Sequence, residues 1–213
     1  MEFGVGFSDE FKNASSKLDG YNNIVSVFGG TRIQSDSYIY NDIQNLCYSL
    51  ALSGYSIMTG GGSGAMEAAN RGLFLAKQEH NLEGISSIGL NIKLPFEQEF
   101  NSYLDIPLEF SHFAIRKQVF LDYSQAFIVV NGGFGTLDEI GEILVNIAVL
   151  KKEKVPFIFY GDYYDELYKW IETKMLKECL IGKDEFGIIK TAKTHDKVLD
   201  ILKHGIIKPI HHK

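Results

Sequence analysis

Cysteine, long apolar runs and positive charge are all scarce in this chain of 213 residues. Its two cysteines, Cys47 and Cys179, are too few and too far apart in sequence for a disulfide framework or a zinc site, and they read as reduced thiols, Cys47 on a buried helix face. No stretch reaches the roughly eighteen consecutive apolar residues of a membrane span. The opening Met1-Glu2-Phe3-Gly4-Val5 lacks the basic-then-apolar order of an export signal. A net charge of −6 runs against a general nucleic-acid surface, which is basic. These absences predict a soluble, cytoplasmic protein with no nucleic-acid or membrane partner. No lysine follows a glycine turn in the Walker pattern, so triphosphate hydrolysis lacks support. No lysine is marked out as a Schiff base for pyridoxal phosphate either.

Against these absences stand 45% hydrophobic residues, 23% charged residues and 21 glycines, enough for one well-filled domain and short for two. Apolar β-rich runs alternate with helical patterns and no internal repeat appears, which predicts βα units around a parallel sheet. Expected strands are Ile24 to Phe28, Tyr55 to Met58, Ile85 to Leu90, Ala126 to Val130 and Val155 to Tyr160, with a further strand near Leu108 to Phe113. The expected helices bury Ile39, Ile43, Leu46 and Leu50; Met66, Ala69, Leu73 and Ala76; Leu137, Ile140, Leu144 and Ile147; and Leu167, Trp170 and Ile171. A helix is expected from about Ile115, a short run at Gly187 to Ile189, and a last helix near Asp196 to Leu202. Lys93 to Pro107 reads as a long loop, and residues 1 to 20 as an N-terminal helix or arm without chemistry. The whole is expected to be a single Rossmann-like, doubly wound α/β domain over residues 1 to 213.

Three strand-to-helix joints in this pattern are glycine turns. Asn131-Gly132-Gly133-Phe134-Gly135-Thr136-Leu137-Asp138-Glu139 is the most telling. Glycines let the backbone approach a ligand with no Cβ in the way, and the free N–H groups of a helix start favour an anion. One element can thus offer phosphate donors at its tip and a carboxylate, Glu139, one turn inside. Phe28-Gly29-Gly30-Thr31-Arg32 and Thr59-Gly60-Gly61-Gly62-Ser63-Gly64-Ala65-Met66 are the other two. Parallel strands bring such turns to one sheet edge, where crevice ligands bind. Gly60, Gly62 and Ala65 meet a relaxed dinucleotide fingerprint, but the next strand ends at Asn91-Ile92-Lys93, without the acidic residue that would hold a ribose. A mononucleotide fits better. Ser63 stands one residue short of a nucleophile elbow, and no histidine pairs with it: His80 belongs to an exposed-looking helix end, while His195, His204, His211 and His212 lie in a polar tail. His112, one turn before Arg116, reads as a polar residue at a strand end.

Taken together, Gly132 to Glu139 resembles the Gly-Gly-x-Gly-Thr-x-x-Glu signature of the LOG family, the nucleoside 5′-monophosphate phosphoribohydrolases often mislabelled lysine decarboxylases. The two other glycine turns resemble that family's phosphate-side loops and Ile115-Arg116-Lys117 its Arg-Lys pair, while the connection Leu94-Pro95 with Glu97-Gln98, Asn101 and Tyr103 resembles that of its longer bacterial branch. The likeness runs from about residue 22 to about 178. One departure stands out: Asn131 occupies the place of the family's usual Pro.

By themselves Arg116 and Lys117 read as a solvated helix pair, the usual fate of such charges, and Glu139 can be read as a favourable acid near a helix start. The resemblance implies that Arg116 and Glu139 are catalytic. It also implies that Gly29, Gly30, Gly60, Gly61, Gly62, Ser63, Lys117, Gly132, Gly133, Gly135 and Thr136 bind the substrate, a purine nucleoside 5′-monophosphate such as AMP or an N6-modified AMP. In that mechanism Glu139 stabilises the cationic ribose carbon and orients water. Arg116, with its planar fork and permanent charge, orients the phosphoribosyl group. No metal and no organic cofactor are expected, and a homodimer is. A non-catalytic nucleotide sensor or carrier using the same cleft is the alternative.

Overall fold

A computed structural model describes residues 6–94, 99–149 and 154–205. The N-terminal pentapeptide, Pro95, Glu97, Gln98, Leu150, His211 and His212 therefore lie outside the described residues.

Seven strands form one all-parallel sheet: β1 (Ile24–Phe28), β2 (Ser56–Thr59), β3 (Ser87–Ile92), β4 (Ile106–Phe110), β5 (Ala126–Val129), β6 (Phe157–Tyr160) and β7 (Ile189–Ala192). Their order, β4-β3-β2-β1-β5-β6-β7, makes the fold Rossmann-like and doubly wound. The order in which the chain adds strands reverses at the parallel β1/β5 pair, so the loops that leave those two strands diverge and open a crevice between them.

Alternation along each strand supplies two apolar cores. Ile24 and Phe28 of β1, with Phe127 and Val129 of β5, face one side, where α1 (Phe7–Leu18), α4 (Phe113–Tyr123) and α5 (Phe134–Ala148) pack. Val25 and Val27, with Ala126 and Ile128, face the other, against α2 (Tyr38–Leu52), α3 (Ala65–His80) and α8 (His195–Gly205). The central strands are buried on both faces; β5 so reads as an unbroken apolar run, while β1 is interrupted by the buried Ser26. Ser37 starts α2 by accepting the Tyr40 N–H at 3.1 Å, the expected chemistry of an N-cap serine. The N-terminal helix is tied down: Ala14 and Leu18 are buried, and Glu10 accepts the Ser111 N–H at 2.9 Å.

Several expected details differ. β4 begins at Ile106 and contains Pro107, which had read as loop. As an edge strand, β4 tolerates a residue with no N–H. The buried stripe of α2 runs through Tyr40, Ile43, Leu46, Cys47 and Leu50 and leaves Ile39 out, because Tyr40 turns inward to give its hydroxyl to Glu67 at 2.9 Å. In α5 the buried residues are Thr136, Ile140, Ile143 and Ile147, while Leu137 is exposed. α6 (Asp165–Trp170) continues into a π-helical stretch, Ile171–Leu176; Trp170 is exposed to solvent and Ile171 is buried. α7 (Lys183–Phe186) is a single turn. Among the described residues no helix is long and apolar enough to cross a membrane.

Candidate functional site

The crevice at the β1/β5 switch is a cleft of about 730 Å³. Its floor is main chain. The Gly30 N–H donates to Asn131 O at 2.8 Å, and the Ala65 N–H donates to Gly30 O at 2.9 Å, so three glycine turns are tied edge to edge. Close packing explains the glycines. A Cβ on Gly29 would sit 2.5 Å from Val130 Cγ2 and 2.6 Å from Ala65 Cβ, and one on Gly132 would strike the Thr136 hydroxyl. Gly64, with φ of 68°, starts α3 directly against Thr31 and the Gly30 carbonyl.

One wall is the tip of α5. Its first turn contains Phe134, Gly135 and Thr136, whose N–H groups precede the Leu137 N–H to Gly133 O bond of 3.0 Å that begins the helical ladder. These donors, with the positive end of the helix dipole, suit an oxyanion. Nothing lies within 4 Å of where a side chain on Gly133 or Gly135 would project, so the space over the tip is open.

The charges lie between α4 and α5. Arg116 of α4 is held by its Nε–H to Leu90 O at 2.8 Å and lies over the Phe120 ring at 5.4 Å. Its Nη2 stands 3.4 Å from Glu139 Oε1, with side-chain exposures of only 12% and 16%. Burial pushes the Glu139 carboxyl up to about 7; the Arg116 charge opposes the shift, Asp138 adds to it and Lys117 opposes it. Burial likewise lowers the Arg116 guanidinium from its ordinary value, opposed by Glu139 and then Asp138. A buried carboxyl that titrates near neutrality beside a fixed cation is equipped for proton transfer or for stabilising a neighbouring positive charge.

A family model described as possible lysine decarboxylase matches residues 66–202. The chain belongs to this LOG-type family. No curated protein sequence matches it. Among solved structures, the molybdenum cofactor binding protein from the phototrophic bacterium Rippkaea orientalis superposes with a TM-score of 0.60 at 21% identity, over 85% of this chain and 95% of that one. The molybdenum cofactor carrier protein of Chlamydomonas reinhardtii superposes with a TM-score of 0.59 at 21% identity, over 85% and 96%. At such identity the likeness is one of fold.

The structure divides the residues that the LOG-type motifs single out. Gly29, Gly30, Gly60, Arg116, Gly132, Gly133, Gly135, Thr136 and Glu139 line the cleft together. Gly61, Gly62, Ser63 and Lys117 stand outside that lining. Gly61 is packed against Gly89, 3.1 Å from where its Cβ would be, and its carbonyl and that of Gly62 accept from the Asn101 N–H and side-chain amide at 2.8 and 3.0 Å. The Ser63 hydroxyl donates to Thr31 O at 3.1 Å. Lys117 points away along the α4–α5 contact, 2.7 Å from Asp138 and 3.7 Å from Glu142. These four therefore build the walls instead of presenting groups to the cleft.

His112 is also structural, its Nδ1 3.3 Å from Glu10 Oε2 where α1 meets α4. His195 is no loose tail residue, since its Nε2 lies 3.0 Å from Asp42 Oδ1. Among the described residues no group of three or more His, Cys, Asp or Glu is placed to hold a metal ion. Sequence reading missed Arg32, Met66, Ile92, Phe134 and Tyr163 as cleft residues. Tyr163 follows β6 and donates to Gly132 O at 3.0 Å. Its signal was positional: β6 lies beside β5, so the loop leaving β6 emerges next to the α5 turn.

Proposed function

We propose that this protein hydrolyses the N-glycosidic bond of purine nucleoside 5′-monophosphates, AMP or an N6-modified AMP, to the free base and ribose 5-phosphate. The observation that carries this reading is a buried carboxyl, Glu139, paired with Arg116 in the same cleft as the open tip of α5. In this mechanism the 5′-phosphate takes the N–H groups of Phe134, Gly135 and Thr136. The C1′–N bond breaks with its electron pair leaving on the base, and the ionised Glu139 stabilises the cationic C1′. Water then bonds to C1′ and passes its proton to Glu139; the departing base takes up one proton from solvent, and Glu139 returns its own to solvent, which closes the cycle. Arg116 orients the phosphoribosyl group; its permanent charge makes it no acid at neutral pH. The active form on this reading is a cytoplasmic homodimer of one nucleotide-binding domain per chain, working without a cofactor.

The test is incubation of the pure protein with a panel of monophosphates, with chromatography for free base. AMP or a related monophosphate is expected to be cleaved, and adenosine at a kcat/KM lower by about 100-fold or more, because the remote phosphate positions the reacting carbon. Glu139→Ala is expected to fold and to lose turnover; normal turnover by that variant would sink the assignment. A second reading has support from the carrier and binding proteins that share the fold: the cleft holds a phosphate-bearing ligand without cleaving it. Tight binding of a monophosphate with no base released by the wild type would favour it.

A further inference from the structure

Tyr163 reaches the cleft from the β6 side with its polar end already used. Its hydroxyl donates to Gly132 O at 3.0 Å, on the turn that leads into the tip of α5. The ring therefore runs from that turn back to the loop after β6, along a border of the cleft that Tyr163 and Gly132 both line. Gly161, with φ of 84°, turns this loop out of the strand and anchors its N–H on Ala192 O at 2.9 Å. On the protein side Tyr163 meets Tyr164 edge-on, with centroids 4.9 Å apart. Tyr164 is only 5% exposed and stacks on Phe159, also at 4.9 Å. The brace behind Tyr163 is thus itself fixed by the core.

Pinned at its hydroxyl and braced at its ring, Tyr163 is nevertheless 52% exposed. A side chain held in this way has little rotamer freedom left to lose when a ligand covers it, whereas a mobile one bears that cost in full. Phe134 also lines the cleft, but at 91% exposure little of the protein holds it. With its hydroxyl committed to Gly132, what Tyr163 offers a ligand is the ring. Resting on the monophosphate reading above, in which the N–H groups at the α5 tip take the 5′-phosphate, we propose that Tyr163 is the platform on which the nucleotide's base stacks, one ribose away from the phosphate that sits beside Gly132.

Stacking reads the face of a base and not the hydrogen-bonding groups on its edge. A purine presents a larger face than a pyrimidine, so the ring favours AMP over CMP. A substituent on N6 lies at the edge of the base, outside the stacked area, so an N6-modified AMP keeps the same contact. Tyr163 thereby sets the class of base, planar and large, while leaving its edge free to vary.

Tyr163→Phe and Tyr163→Leu both lose the bond to Gly132 and differ in the ring alone, so comparing them isolates the platform. Each is made in a Glu139→Gln background, which holds AMP uncleaved, and is titrated by calorimetry with AMP, CMP and ribose 5-phosphate. Relative to Tyr163→Phe, Tyr163→Leu is expected to bind AMP about 10–100-fold more weakly, CMP with a smaller loss, and ribose 5-phosphate equally well. Equal AMP affinity in the two variants would place the base elsewhere, and parallel losses of AMP and ribose 5-phosphate would make Tyr163 a prop for the α5 turn. Either result overturns the platform, whether or not the wild-type protein releases base. A loss confined to the nucleotides, in a protein whose wild type releases no base, would support the platform and overturn hydrolysis alone. No binding of AMP by the Glu139→Gln parent would overturn the platform together with the phosphate seat.

Discussion

Neutralising Glu139 without changing its shape should stabilise this protein, and do so more strongly as the pH rises. In an unfolded chain a glutamate titrates near 4.3. In the folded protein burial raises Glu139 to about 7. Between those values the unfolded chain has released a proton that the folded chain still holds, so stability falls as pH increases. The contribution is fully present below the unfolded value and lost once the pH has passed through the folded one. At about 1.4 kcal/mol per unit the full loss is roughly 3–4 kcal/mol, and the part falling between about pH 5 and pH 8 is roughly 2.5 kcal/mol. With a side-chain exposure of 16%, solvent screening removes little of it. Glu139→Gln removes this dependence. It also leaves Arg116 without its anion, but a guanidinium keeps its charge throughout this range, so that cost is a constant offset. The assay is urea unfolding of both proteins at several pH values, with the difference in unfolding free energy plotted against pH. Titrations elsewhere in the chain cancel in the difference. The expected curve rises in favour of Glu139→Gln by about 2–3 kcal/mol from the acidic to the basic end. A flat difference would show that Glu139 ionises like any exposed glutamate and would refute the burial argument.

Three further outcomes follow from the same geometry. Gly132→Ala forces a Cβ into the Thr136 side chain and should cost about 1–3 kcal/mol by chemical denaturation, whereas Gly135→Ala meets open space and should keep its stability while lowering AMP affinity about tenfold in calorimetry. Asn131→Pro retains the carbonyl that accepts from Gly30, so it should keep AMP turnover and gain about 0.4–1 kcal/mol from a stiffer unfolded chain; a clear loss of affinity in the folded variant would reveal a role for the Asn131 side chain. α5 leaves Leu137 and Val145 exposed, and so is Val149 at its C-terminal cap, and this stripe should be covered in a homodimer; light scattering at micromolar protein should give a dimeric mass, and Val145→Asp with Val149→Asp a monomeric one.

What the sequence discloses here follows from how local each signal is. The central strands were legible because burial on both faces leaves runs such as Ala126 to Val130 wholly apolar. Helix phases were legible only in part. Leu137 and Ile39 fit the spacing of a buried stripe yet lie outside it, because the docking angle of each helix is set by partners remote in sequence, Tyr40 and Glu67 being one such pair. Pro107 argued for loop, and only the strand order reveals an edge where proline is harmless. For the site, glycine turns marked the floor, but not which glycines serve packing. Gly60 lines the cleft and Gly61 does not, a distinction made by the turn's own conformation and by Gly89 behind it. Tyr163 and Tyr164 carry no motif, and nothing in their local sequence says that β6 lies next to β5.

The floor of the cleft is made of main-chain atoms, tied through Gly30, Asn131 and Ala65. Hydrogen bonds between backbone groups survive most side-chain replacements. On the hydrolytic reading proposed above, the seat for a phosphate is therefore built almost independently of the chemistry, which rests on the Glu139 carboxyl beside Arg116. Replacing that one carboxyl should then leave a vessel that holds its ligand without cleaving it.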